Sequence, residues 1–159
     1  MLHQDLNNYN SIRIAGVVRE SIVDGPGFRF VVFCQGCPHG CPGCHNPQSW
    51  DFKGGQEMSV QELLDIIKDD EFANVTFSGG DPLYQVEAFT ELARRIKEET
   101  GKTIWCYTGF TYEEILADVR LSMILPYLDV LVDGPFIEAL RDPDLSFRGS
   151  SNQRIIQLR

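Results

Sequence analysis

Hydrophobic and polar positions follow two different periods along this chain, and the switches between them mark its elements. Residues 12–20 alternate and then run apolar, and 28–33 repeat the pattern after the turn Asp24-Gly25-Pro26-Gly27, so both read as strands. A polar connection carrying Gly54 and Gly55 follows Trp50. Ser59-Val60-Gln61-Glu62 then forms a capping box, and Val60, Leu63, Leu64 and Ile67 recur at helical spacing, which predicts the first helix. Residues 74–78 are a short β-type run ended by Gly79-Gly80-Asp81-Pro82, with Val86, Phe89, Leu92, Ala93 and Ile96 placing a second helix behind it. The unit returns as strand 103–108, Gly109, the capping box Thr111-Tyr112-Glu113-Glu114 and the helical positions Ile115, Leu116 and Val119. A shorter version follows, with a buried-type strand at 129–133, the breaker Gly134-Pro135 and one or two helical turns over 136–141. The polar loop Arg148-Gly149-Ser150-Ser151-Asn152 leads to a last strand at 154–158.

No linker or low-complexity tract divides the chain, so residues 1–159 are expected to form one domain. The repeated strand and helix order implies an α/β fold with mostly parallel strands and right-handed crossovers. The 159 residues are too few for a complete eight-stranded barrel of about 250, so the expectation is an incomplete, TIM-like βα barrel. In such folds the loops at the C-terminal strand ends collect the ligands.

Composition narrows the setting. Hydrophobic residues make up 43% and charged residues 23%, and no apolar run approaches the roughly 18 residues of a membrane span. Residues 1–10 are polar, which predicts a cytoplasmic protein whose five cysteines stay reduced. With 14 basic and 23 acidic residues the formal charge is −9, which repels phosphate backbones and argues against a nucleic-acid partner.

The stretch Cys37-Pro38-His39-Gly40-Cys41-Pro42-Gly43-Cys44-His45 carries the most chemistry. Its prolines and glycines disfavour a regular element, so a tight loop can aim three sulfurs inward. Three thiolates leave one coordination position open. Zinc completed by His39 or His45 and a four-iron cluster with one open iron both satisfy that count, and the spacing alone does not choose between them. A second informative stretch is Thr76-Phe77-Ser78-Gly79-Gly80-Asp81-Pro82, whose paired glycines let a ligand approach the backbone, although a plain tight turn uses the same residues. On neighbouring parallel strands the two loops would open on the same rim.

Taken together, Cys37-x3-Cys41-x2-Cys44 and the downstream Ser78-Gly79-Gly80-Asp81-Pro82 resemble the radical S-adenosylmethionine superfamily. Asp24-Gly25-Pro26-Gly27-Phe28-Arg29 and His45-Asn46-Pro47 are similar to the glycyl-radical-enzyme activases within it. The stretches Trp105-Cys106-Tyr107-Thr108-Gly109, Leu131-Val132-Asp133-Gly134-Pro135-Phe136 and Arg148-Gly149-Ser150-Ser151-Asn152-Gln153-Arg154 closely resemble the activators of anaerobic ribonucleoside-triphosphate reductase.

The resemblance implies a radical SAM partial barrel in which Cys37, Cys41 and Cys44 hold a [4Fe-4S] cluster. Gly43, Cys44, His45, Ser78, Gly79, Gly80 and Asp81 would surround S-adenosyl-L-methionine. It further implies reductive cleavage of that cofactor to methionine and a 5′-deoxyadenosyl radical, which takes hydrogen from a glycine of the reductase large subunit. A reduced flavodoxin or similar donor would supply the electron.

The superfamily often has Glu where this chain has Asp81, a shorter carboxylate that would still suit a ligand ammonium through its backbone or a water. Asp24, Arg29 and Asp133 are candidates for a second layer; their plainer readings are a turn residue, a core-edge arginine and a carboxylate capping the next turn. Cys34 and Cys106 sit in apolar strands and read as packed core thiols, and His3 and His39 as solvated. The alternatives are activation of another glycyl-radical enzyme, such as pyruvate formate-lyase, and a small zinc or iron–sulfur module without catalysis.

Overall fold

The computed structural model describes residues 10–43, 51 and 53–159. Seven strands form one sheet: β1 (Ser11–Ser21), β2 (Arg29–Cys34), β3 (Gln56–Ser59), β4 (Asn74–Gly79), β5 (Ile104–Tyr107), β6 (Val130–Asp133) and β7 (Arg154–Gln157). Their spatial order is β3-β1-β2-β4-β5-β6-β7. The neighbours β2, β4, β5 and β6 run parallel, and β3, antiparallel to β1, shares their direction. Only β1 and β7 run the other way. The sheet is therefore mixed and mostly parallel, with antiparallel strands at both margins that the repeated strand and helix units did not announce.

Helices α1 (Val60–Asp69), α2 (Val86–Glu99) and α3 (Tyr112–Leu116) start where the sequence signals place them. The Ser59 side chain accepts from the Glu62 amide, and Thr111 and Glu114 close a full capping box, so orphan amides at both helix starts are satisfied. All three helices pack on one face of the sheet. Leu63, Leu64, Ile67, Phe89, Leu92, Ile96 and Ile115 meet Phe30, Val32, Cys34, Val75, Phe77, Cys106 and Leu131 in one buried cluster. The alternate strand residues Trp105, Val130 and Val132 point to the opposite face, where Tyr107, Phe147 and Ile155 cover part of them. That face carries no helix among the described residues and is left open for a cavity. No helix of the described residues is long and apolar enough to cross a membrane.

Three local expectations change. The polar connection after Gly55 contains β3, which pairs with the edge of β1; its sequence, Gln-Glu-Met-Ser, has no β pattern, and the open edge imposes the pairing. Helix α3 stops at Leu116 instead of reaching Val119, which is 90% exposed. Asp118 there accepts from the Arg120 and Leu121 amides, starting a 3-10 segment at Leu121–Tyr127 that the periodicity did not mark. Third, the segment over 136–141 is reduced to a single 3-10 turn at Glu138–Leu140.

The last strand is pinned by charge as well as by its ladder. Arg154 donates to both Glu113 and Asp133, and its hydrogen bonds hold the Glu113 carboxyl at about 2, against an ordinary 4.5. A carboxylate depressed on folding contributes stability above its unfolded pKa and loses it as pH falls toward the folded value. Glu113→Gln is therefore expected to lower the urea midpoint slightly at pH 6 and to match the parent protein near pH 2, with salt reducing the difference because both groups are exposed.

Candidate functional site

A cavity of about 780 Å³ lies on the sheet face opposite the described helices. Its upper wall is built from the ends of parallel strands. β2 and β4 pair through Cys34 and Gly79, and the register continues past the strands: the Gly80 amide donates to Cys34 O at 2.8 Å and the Asp81 amide to Gly36 O at 2.9 Å. The cysteine loop and the glycine-pair loop are thus held side by side, as expected for loops that follow adjacent parallel strands.

Cys37, Cys41, Ser78, Gly79 and Gly80 all line this cavity. Both cysteines are half-buried on a loop without regular structure. Cys44, His45, Asn46 and Pro47 lie outside the described residues, as does His3. Gly43 does not line the cavity and sits against Glu138. Cys34 and Cys106 are fully buried in the core, where burial pushes both thiols well above their ordinary range. They are packed hydrophobes, distinct from the loop cysteines.

Asp81 departs from the expectation of a ligand-facing carboxylate. It is 0% exposed and does not line the cavity. One oxygen accepts from the Leu83 amide at 3.0 Å and from Thr108 Oγ1 at 2.9 Å; the other accepts from the Gly109 amide at 2.9 Å and lies 2.5 Å from His39 Nε2. With its lone pairs engaged by protein groups, the side chain locks loops together and presents nothing to the cavity. His39 is likewise not solvated. Its side chain is 18% exposed, and its ring meets Phe110 edge-on at 4.8 Å.

The second-layer candidates separate in the same way. Asp24 lines the cavity, and its backbone carbonyl accepts from Thr76 Oγ1 at 2.7 Å. Arg29 is buried at the opposite end of β2. It donates to Val75 O at 2.7 Å and to Thr76 Oγ1, and it stacks over Trp105, with burial lowering its pKa to about 10. Asp133, 1% exposed, accepts from the Tyr112 amide at 2.7 Å and from Arg154, so it caps α3 and anchors β7. Arg29 and Asp133 hold the frame and do not reach the cavity.

The cavity also has walls that the sequence motifs did not single out as site residues. Thr108 and Gly109 end β5 much as Gly79 and Gly80 end β4, which is the signal that could have found them. Tyr107 lines the middle; its hydroxyl is buried without a hydrogen-bond partner among the described residues, and burial, then the Asp24 charge, raises its pKa. Phe136, Phe147 and Arg148 bring the C-terminal segment over the far side.

Residues 23–156 match a family described as a 4Fe-4S single cluster domain. The anaerobic ribonucleoside-triphosphate reductase-activating protein of Haemophilus influenzae is 39% identical over 142 residues, covering 84% of this chain and 90% of that protein. The protein of the same name from Escherichia coli K12 is 38% identical over 146 residues, 87% and 94% of the two chains, and that of Enterobacteria phage T4 is 37% identical over 139 residues, 84% and 86%. Among solved structures, Escherichia coli QueE aligns with 64% of this chain and 54% of its own at a TM-score of 0.49 and 18% identity. The chain belongs to the family of anaerobic ribonucleoside-triphosphate reductase-activating proteins, on a 4Fe-4S single cluster domain.

Proposed function

We propose that this chain, as one radical SAM domain over 1–159, activates anaerobic (class III) ribonucleotide reductase by generating the glycyl radical of its large subunit. The observation that carries the reading is the placement of Cys37 and Cys41 beside Ser78, Gly79 and Gly80 on one cavity at the ends of parallel strands. The donor chemistry fits a [4Fe-4S] cluster: thiolates are its ligands, and a set of three, completed by Cys44, leaves one iron for a cofactor. When bound, the cluster and S-adenosyl-L-methionine supply a one-electron reductive cleavage whose product abstracts hydrogen from the partner's glycine.

The chain's own residues bind, orient and shield. Cys37, Cys41 and Cys44 hold the cluster; the backbone of Ser78, Gly79 and Gly80, together with His45, receives the cofactor, while Gly43, which does not line the cavity, turns the loop after Cys41 with a φ of +75°. Asp81 acts from behind, by fixing the loops rather than by contact. The sheet face opposite the described helices, open like the missing wall of a partial barrel, admits the partner's glycine segment over Tyr107 and Phe136. A reduced flavodoxin or similar protein in the cytoplasm supplies the electron.

The test is anaerobic reconstitution followed by electron paramagnetic resonance, with iron and zinc analysis. A reduced four-iron signal that changes when S-adenosyl-L-methionine is added, and a glycyl radical on the reductase large subunit after incubation, are the expected results. Stoichiometric zinc without iron, or a cluster indifferent to the cofactor, would overturn the reading. A radical formed on pyruvate formate-lyase but not on the reductase would reassign the partner.

A further inference from the structure

The cysteine loop leaves β2 at Cys34 and contains no regular element through Gly43, so something besides a ladder must hold Cys37 and Cys41 at the cavity. His39 lies midway between them. Its Nε2 is 2.5 Å from Asp81 Oδ2, and Asp81 is fully buried and itself anchored to two other segments. Oδ1 caps the 3-10 turn after β4 through the Leu83 amide, and both oxygens accept from Thr108 Oγ1 at the end of β5. The Gly109 amide completes the set at 2.9 Å. One short carboxylate thereby joins the loops after β2, β4 and β5.

The fit around the imidazole is tight on its other sides. Phe110 meets the ring edge-on, and a methyl group built on Gly109 would overlap the ring atoms. Gly109 does not have a left-handed backbone, so the requirement for glycine there is the space the ring occupies.

We propose that His39 is a positioning residue which, through Asp81, fastens the cysteine loop to the ends of β4 and β5 and so sets where Cys37 and Cys41 stand relative to Gly79 and Gly80. This rests on the proposed cluster chemistry only for its consequence; the tether itself belongs to the metal-free chain. A buried carboxylate with its partner's N–H removed loses a charge-assisted hydrogen bond that no water replaces, so the loop opens more often. The short Asp side chain suits this role, because it caps Leu83 two residues on while still reaching Thr108 and His39.

Two substitutions separate the tether from mere packing. His39→Phe keeps a ring against Phe110 and removes the donor; His39→Gln keeps an amide donor at similar reach and removes the ring. Amide hydrogen exchange on the full-length, metal-free protein reads the loop over 36–43 directly. His39→Phe is expected to speed exchange there about tenfold or more, and His39→Gln to restore most of the protection. Gly109→Ala, which displaces the ring from the other side, is expected to match His39→Phe. After anaerobic reconstitution, the change that S-adenosyl-L-methionine causes in the reduced-cluster resonance should be lost or reduced in His39→Phe and retained in His39→Gln.

Exchange and resonance in His39→Phe equal to those of the parent protein would overturn the proposal. Equal impairment of His39→Phe and His39→Gln would also overturn it, by showing that the imidazole is needed for something other than the donor. A parent protein that takes up no iron would strike the proposed function instead, while the exchange measurement would still decide the tether.

Discussion

Cys37→Ser and Cys41→Ser are expected to abolish cluster retention and glycyl-radical formation while leaving the metal-free fold intact, and Cys34→Ala is expected to do the reverse. A serine hydroxyl is not ionised at neutral pH and is a hard donor, so it does not replace a thiolate on iron. Both loop cysteines are half-buried outside the core, so the one-atom change should alter unfolding free energy by no more than about 0.5 kcal/mol. Cys34 is fully buried in β2 with its thiol held protonated by burial, and trimming it leaves a small void costing about 1 kcal/mol with iron binding retained. Iron content, the reduced-cluster resonance and urea midpoints of the three variants check the pattern. Iron loss in Cys34→Ala, or full iron in Cys41→Ser, would mean that the thiolate set has been assigned wrongly.

Gly79→Ala is expected to destabilise the fold by about 3 kcal/mol, the sum of two separate penalties. The residue has φ of +102°, where a side chain is strained, and its Cβ would come within 2.5 Å of the Cys34 amide nitrogen and 2.6 Å of the Cys34 carbonyl oxygen. Those atoms belong to the paired strand at the point where both ligand-side loops begin, so relief requires β2 and β4 to part there. A loss of this size is a large fraction of the total stability of a small domain. Gly27→Ala is the control: its φ is +72°, but a Cβ there meets nothing within 4 Å, so only the backbone penalty of about 1 kcal/mol remains. Urea midpoints measure both. Equal effects at the two glycines would show that contact with Cys34 contributes nothing.

The contrast between these two glycines shows what kind of information the sequence carries. Turn chemistry announces both Gly27 and Gly79, because glycine is the residue that tolerates either backbone. That one faces solvent and the other a neighbouring strand follows only from the pairing of β2 with β4. The N-cap at Ser59 and the capping box at Thr111 are legible for the same reason that helix starts usually are: the side chain and the amide it satisfies lie within four residues, although at Ser59 only that half of the expected box forms. The end of α3 was not, since Asp118 competes with the helix by bonding the Arg120 and Leu121 amides, a choice that Val119 as an apolar letter conceals.

The site divides along the same line. Cys37, Cys41, Ser78, Gly79 and Gly80 announced themselves through spacing and strand-end position, and the structure brings them to one cavity. Asp81, adjacent in sequence and part of the same motif, turns inward, and His39, which reads as an ordinary loop histidine, is its partner. No local pattern couples positions 39, 81 and 108, because the carboxylate's partners come from three loops brought together only when the parallel strands align. Asp133 and Arg154 repeat the case: each looks like a turn or surface residue alone, and together they tie α3 to the last strand.

What the sequence by itself determined is the order of the three helices and of every described strand except β3, the loops that carry thiols and paired glycines, and the family, since periodicity, capping and motif spacing are written in near neighbours. The tertiary structure alone decided the antiparallel margins of the sheet, the gathering of the described helices on the face opposite the cavity, and which polar residues face that cavity and which brace it. Those depend on which strand edges meet and where buried carboxylates find donors, and both are settled by contacts between residues far apart in the chain.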